Sequence, residues 1–106
     1  MAKYLIHGSY TVEGVKGLLK DGGSKRRAAV QSLIEKAGGR LESFYFAFGS
    51  DDFYLIAEAP DNATAAAVSL AVAASGAARA QTVMLMTPEE VDGATKKTIE
   101  YRPPGA

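Results

Sequence analysis

The chain contains one histidine, His7, and no cysteine. Thiolate chemistry, disulfides and cysteine metal ligands are therefore excluded, and His7 becomes the candidate for proton transfer. It lies in the middle of an alternating stretch, residues 3–10, which is typical of a β-strand. A strand histidine can act as a general base, as an axial ligand to a metal or haem, or as a hydrogen-bonded interface residue. Because no His-x-His or carboxylate–histidine spacing accompanies it, no metal site is predicted.

Two tyrosines and a glutamate are predicted to share a sheet face with His7. If the chain forms a four-stranded split-βαβ sheet, the first and third strands are antiparallel neighbours, which places His7 near Tyr54 or Ile56. Glu58 then lies farther along the same face. Tyrosines at such positions either line a pocket or simply pack as good strand residues. We expect Tyr45, Tyr54 and Glu58 to contribute to ligand binding.

A basic cluster, Lys25-Arg26-Arg27, follows the glycine pair Gly22-Gly23 and opens a helical segment at Ser24. Backbone donors at a helix start and nearby cations can hold a carboxylate or a phosphate. The alternative is a solvated helix face, since adjacent helical residues point in different directions. Arg27 is our ligand-binding candidate from this cluster if it folds back over the sheet edge, and an arginine is expected to neutralise an anionic substrate. The glycine pair lacks the lysine and hydroxyl spacing of a phosphate-binding loop.

The segment Gly49-Ser50-Asp51-Asp52 predicts a tight turn between two strands. Aspartate is favoured in turns because its side chain bonds the backbone two residues on, which suffices to explain one of the pair. The other carboxylate can face a partner subunit or a ligand amine, and Asp52 is our candidate. Gly49 is expected to occupy the position where the turn needs a positive φ.

The β-α-β order of elements occurs twice along the chain, which gives the pattern β-α-β-β-α-β. The fold class predicted is α+β: a ferredoxin-like βαββαβ sheet with both crossover helices on one face and an additional C-terminal helix. The predicted strands are residues 3–10, 41–48, 53–59 and 81–86. The predicted helical segments start at Val12 and at Ser24, then run over residues 63–75 and from Pro88 to about Ile99.

The hairpin register divides the sheet into two faces. With a loop of residues 49–52, Phe48 pairs with Phe53 and Phe46 with Leu55, and all four lie on the face covered by the helices. The opposite face, here called the open face, has no element in the chain to cover it. It is predicted to carry Lys3, Leu5, His7, Ser9, Ser43, Tyr45, Ala47, Tyr54, Ile56 and Glu58.

The 106 residues and a formal net charge of zero fit one globular domain spanning residues 1–106. Zero net charge argues against an electrostatic hold on nucleic acid or anionic lipid and favours self-association. No apolar run approaches the ~20 residues that cross a bilayer. We expect a cytoplasmic protein whose partner is itself, as a homodimer or higher homo-oligomer, with no nucleic-acid or membrane partner.

Several segments together resemble the GYD domain family over essentially the whole chain. They are Tyr4-Leu5-Ile6, Ser9-Tyr10-Thr11, Glu13-Gly14, residues 22–27, Gly38-Gly39, residues 44–49 and Tyr101-Arg102-Pro103-Pro104. The family comprises short bacterial proteins without an established activity and is named for a Gly-x-Tyr-Asp hairpin. Here Gly49 and Asp52 match that hairpin, and Asp51 stands in place of the tyrosine. The family is similar to dimeric α/β-barrel proteins, in which two sheets pack face to face around a pocket.

The function expected from this combination is binding of a small organic molecule between the sheets of a homo-oligomer. In an enzyme version that needs no metal, His7 would be the general base and Tyr45 and Tyr54 would line the pocket. The alternatives are a regulatory effector-binding module and a structural or oligomerisation protein without catalysis. The sequence implies no cofactor and leaves catalysis and the ligand's identity open.

Overall fold

The computed structural model describes residues 1–106, which form four strands and four helices. Along the chain they are β1 (Ala2–Tyr10), α1 (Val12–Asp21), α2 (Gly23–Lys36), β2 (Arg40–Phe46), β3 (Phe53–Ala59), α3 (Asn62–Ala74), β4 (Ala78–Leu85) and α4 (Pro88–Thr95).

The strands form one antiparallel sheet in the order β2-β3-β1-β4. This order and the two crossovers are those of a ferredoxin-like fold, so the predicted α+β class is confirmed. β1 is a central strand, paired with β3 on one side and with β4 on the other. His7 sits in this strand opposite Tyr54 of β3 and Gln81 of β4.

Local signals at the helix ends explain where the helices start and bend. Thr11 caps α1, accepting a hydrogen bond from the Gly14 amide at 3.2 Å, and Thr87 and Glu90 form a capping box at the start of α4. Gly22, at φ +81°, separates α1 from α2 and so produces the predicted bend. α4 ends at Thr95, four residues before the predicted Ile99. Its residues are all exposed, so no packing surface extends it.

The predicted hairpin register is wrong by two residues. Phe46 pairs with Phe53 and Phe44 with Leu55, and the loop covers residues 47–52. Phe48 is fully exposed in that loop instead of lying in the core, and Ala47 lies outside the strand. Because side chains alternate with a period of two, a shift of two leaves every paired residue on its predicted face. The helix-covered face therefore still buries Phe53, Leu55 and Ala57.

Gly49 is not the constrained position of this loop. Its φ is not positive, and a Cβ added there would meet no atom within 4 Å. The expectation of a positive φ at Gly49 is therefore wrong, because the turn is spread over six residues rather than four.

None of the four helices has the length and hydropathy needed to cross a membrane.

The open face lies on the opposite side of the sheet from α2 and α3. The register adds alternate residues of β4 to it, among them Gln81 and Val83 beside His7 and Leu5. Three of its large side chains remain accessible to solvent: Tyr45 is 70% exposed, Val83 42% and Tyr54 38%. Apolar and aromatic surface thus surrounds the one histidine.

Candidate functional site

The site is built on His7, whose imidazole is held by a carboxylate from the β2–β3 loop. Nδ1 of His7 lies 2.5 Å from Oδ2 of Asp51. Since an ionised carboxylate only accepts hydrogen bonds, Nδ1 carries the shared proton. The neutral ring then keeps its lone pair on Nε2, which makes no hydrogen bond within the chain. This is the arrangement in which a carboxylate orients a histidine for proton transfer.

Ser9 supports the loop that carries Asp51. Its hydroxyl Oγ donates to the Ser50 carbonyl at 3.0 Å and lies 3.4 Å from Oδ1 of Asp51. It therefore contacts the carboxylate side of the pair and not Nε2 of His7. The three residues consequently do not form a nucleophilic Ser-His-Asp arrangement, in which the serine must reach the free ring nitrogen. The geometry gives Ser9 a positioning role.

Tyr54 packs against one face of the imidazole. The two rings are stacked, with centroids 5.6 Å apart and planes inclined by 11°. Tyr45 pairs with Tyr54 across the β2–β3 ladder and so extends the aromatic surface outward from His7. The structure thus places His7, Tyr54 and Tyr45 in one row across the sheet.

Glu58 lies on the open face, as predicted, but not beside His7. It sits four residues beyond Tyr54, roughly 13 Å along the strand, where it contacts Arg40 at 3.2 Å and Lys3 at 3.5 Å. A β-bulge at Glu42 brings a second carboxylate to Lys3, at 2.6 Å. The hydrogen bond from Arg40 holds the pKa of Glu58 below its usual range, and Lys3 adds to this effect. Glu58 therefore belongs to a salt-bridge cluster that is separate from the histidine.

This cluster should contribute to the pH dependence of stability. A carboxylate with a lowered pKa in the folded state stabilises the protein above its unfolded pKa, and the contribution is lost as the pH falls through the folded pKa. Glu58→Gln should therefore flatten the loss of stability that the wild type shows below about pH 5. Urea unfolding at several pH values measures this. Glu100→Gln, in the exposed tail, is the control, and an acid limb unchanged by Glu58→Gln would contradict the prediction.

Asp52 is placed as a structural residue of the hairpin. Its side-chain Oδ2 accepts from the Tyr10 amide at 2.9 Å, and its own amide donates to the Gly8 carbonyl at 2.7 Å. These bonds fasten the β2–β3 loop to the end of β1. They place the neighbouring Asp51 over His7, so Asp52 acts on the site through the backbone.

Arg27 lies on the far side of the sheet from His7. It is exposed on α2, and α2 packs on the helix-covered face. The residue that approaches the sheet is its neighbour Arg26, which lines a cavity together with Tyr10. Successive residues of a helix are turned by about 100°, so only one of two adjacent arginines can face the sheet. The expectation that Arg27 folds back over the sheet edge is therefore wrong.

Asp51 is the site residue that sequence reasoning did not single out. Turn chemistry accounts equally well for either aspartate of the Asp51-Asp52 pair, and the prediction falls on Asp52. The signal available in the sequence was topological: the hairpin loop precedes β3, so its last residues must lie beside the end of β1. No group of three or more His, Asp or Glu side chains comes together in the geometry of a metal site.

One of three comparisons with known proteins found a match. Searches of curated proteins and of solved structures found no match to the chain. The profile of the GYD domain matches residues 4–95 of the 106. That match takes in β1 from Tyr4 onward, the other three strands and all four helices, and the chain therefore belongs to the GYD domain family.

Proposed function

We propose that the open face binds a small organic molecule and that His7 takes a proton from it as a general base. The observation that carries this proposal is the hydrogen bond between Nδ1 of His7 and Asp51. The carboxylate orients the ring and stabilises the imidazolium that forms when Nε2 takes up a proton. Tyr54 and Tyr45 provide an aromatic wall against which a ligand can pack.

A second copy of the chain is the proposed cover of this site. Leu5, Ile56 and Val83 lie next to one another across three strands of the open face. Apolar residues in such a contiguous, accessible patch mark an interaction surface, and a two-fold dimer buries the same patch on both subunits. Two open faces packed together would exclude water from His7, and exclusion of water strengthens electrostatic interactions in a site.

The orientation of His7 can be tested before any substrate is known. The chain has one histidine, so its ring nitrogens give one set of signals in two-bond ¹H–¹⁵N spectra. In the wild type we expect the neutral ring to carry its proton on Nδ1. In Asp51→Asn the amide can donate to Nδ1, so the proton should move to Nε2 and the base should be lost. A wild-type ring protonated on Nε2 would contradict the proposed role.

Self-association is tested at Ile56, in the middle of the apolar patch. Light scattering of the wild type should give twice the chain mass of 11.1 kDa. Ile56→Lys should shift the population toward monomer, because a charge buried in the interface without a partner is strongly unfavourable. Leu19→Lys, at an 80% exposed position on α1, is the matched control and should leave the dimer intact. A monomeric wild type at high micromolar concentration would remove the basis of the two-sheet site.

A further inference from the structure

A second concave site lies on the other side of the sheet from His7. α2 lies over β2 and α3 over β3 and β4, and a cavity of about 150 Å³ occupies the gap between the two helices. Its lining is almost entirely hydrophobic and includes Leu33, Val72 and Phe44. A cavity of this size with aliphatic and aromatic walls can hold one benzene ring.

Arg26 introduces a positive charge into this apolar lining. It is the only charged residue among those that line the cavity. Its Nε atom is buried and has no hydrogen-bond partner in the structure, and its guanidinium forms no ion pair within the chain. A buried donor without an acceptor raises the free energy of the folded state, whereas a buried donor with a hydrogen-bond partner does not. The position therefore favours an acceptor supplied from outside the chain.

Tyr10 adds a second polar group near the same end of the cavity. Its ring packs on Phe53 at a centroid distance of 5.1 Å. Burial raises the pKa of Tyr10, a hydrogen bond from the Arg26 guanidinium and its charge oppose the rise, and the Asp52 carboxylate adds to it. The hydroxyl therefore stays protonated at neutral pH and can donate a hydrogen bond next to the arginine.

We propose that this cavity binds a small carboxylic acid whose apolar part, of about the size of one aromatic ring, fills the gap between α2 and α3 and whose carboxylate pairs with Arg26. Guanidinium and carboxylate match in geometry, and their hydrogen bonds are charge-assisted. The hydroxyl of Tyr10 provides a further donor to the same anion. The site is separate from the proposed proton-transfer site, because the sheet lies between them.

Benzoate and benzamide are the probes that test this inference, since they share a ring and differ in charge. Titration calorimetry of the wild type should show tighter binding of benzoate, by about tenfold or more, because the charge-assisted bond is absent for benzamide. Arg26→Met keeps an unbranched chain of similar length but removes the charge, so the preference for benzoate should disappear. Arg27→Met removes the same charge from the exposed neighbour and should leave both affinities unchanged.

The location of the probe is tested independently of affinity. Nuclear Overhauser contacts of the bound ring should reach the methyl groups of Leu33 and Val72, and Val72→Phe should abolish binding of both probes by filling the gap. If Val72→Phe does not fold, Ala29→Leu, from the α2 side of the same lining, serves instead. His7→Gln should not change benzoate binding, so failure of the proton-transfer proposal leaves this one testable.

Three results would overturn the inference. One is the absence of benzoate binding at millimolar concentration, and another is equal affinity of the wild type for benzoate and benzamide. The third is contact of the bound ring with Val83 or Ile56, which would place the acid on the open face. Arg26→Lys is the control for packing changes in Arg26→Met. It keeps the positive charge and should therefore retain part of the preference for benzoate.

Discussion

Replacing His7 by glutamine should lower the rate of any proton-transfer reaction catalysed by this protein by roughly 10²-fold or more. Glutamine keeps most of the size of the side chain and a hydrogen-bonding end, so Asp51 retains a partner. What is lost is Nε2 as a proton acceptor. The measurement is the steady-state rate across pH, once a turned-over compound has been found among the molecules that bind the open face.

Two further variants make the His7 result specific. Asp51→Asn should reduce the rate while leaving ligand affinity nearly unchanged, because it alters the tautomer of His7 rather than the pocket wall. Tyr45→Phe should act mainly on affinity, since Tyr45 lies at the rim of the row and does not contact the imidazole. An unchanged rate in His7→Gln, with ligand binding intact, would exclude general-base catalysis and favour an effector-binding module.

Replacing Gly8 by alanine should destabilise the fold by about 3 kcal/mol, the upper range for overpacking a core. Gly8 is buried in the central strand β1. A Cβ added there would lie 1.9 Å from the Arg79 carbonyl oxygen and 2.7 Å from Cα of Ala80. Both atoms are backbone atoms of β4, so the strain can be relieved only by moving the strand. Urea unfolding should show a lower midpoint with an unchanged slope.

Gly49→Ala makes the same chemical change at an unconstrained position and is the matched control. A Cβ at Gly49 meets no atom within 4 Å, so its free energy of unfolding should stay within about 0.5 kcal/mol of the wild type. Equal stability of Gly8→Ala and Gly49→Ala would mean that β1 and β4 do not pair in the observed register. A different register between β1 and β4 would also remove Gln81 from its position opposite His7.

The candidate site was predictable as far as strand pairing determines it. His7, Tyr54 and Tyr45 share a face because antiparallel pairing and the alternation of side chains place them there, and this face survives an error of two residues in the hairpin loop. Their common row does not, because the predicted register places Ala47 opposite Tyr54, where the structure has Tyr45. Glu58 shares their face but not their site, because the distance along a strand grows by about 3.3 Å with each residue. Its partners, Arg40 and Lys3, come from two different strands.

Asp51 and Arg26 show what sequence patterns could not decide. The two aspartates of the loop are chemically identical neighbours, and only the bonds of Asp52 to β1 determine that Asp51 points to His7. The two arginines on α2 differ only in their angle around the helix axis. Which of them enters the cavity depends on how α2 is rotated against the sheet, and Ile34 is the residue of α2 that is buried in the core.

The sequence alone therefore determined the order of the elements, the places where one element ends and the next begins, and the two faces of the sheet. These follow from caps, glycine positions and hydrophobic periods, which act between residues close together in the chain. The tertiary structure decided the length of the hairpin loop, the carboxylate that orients His7 and the arginine that faces the core. Each of these depends on contacts between segments far apart in sequence, whose relative placement no local pattern encodes.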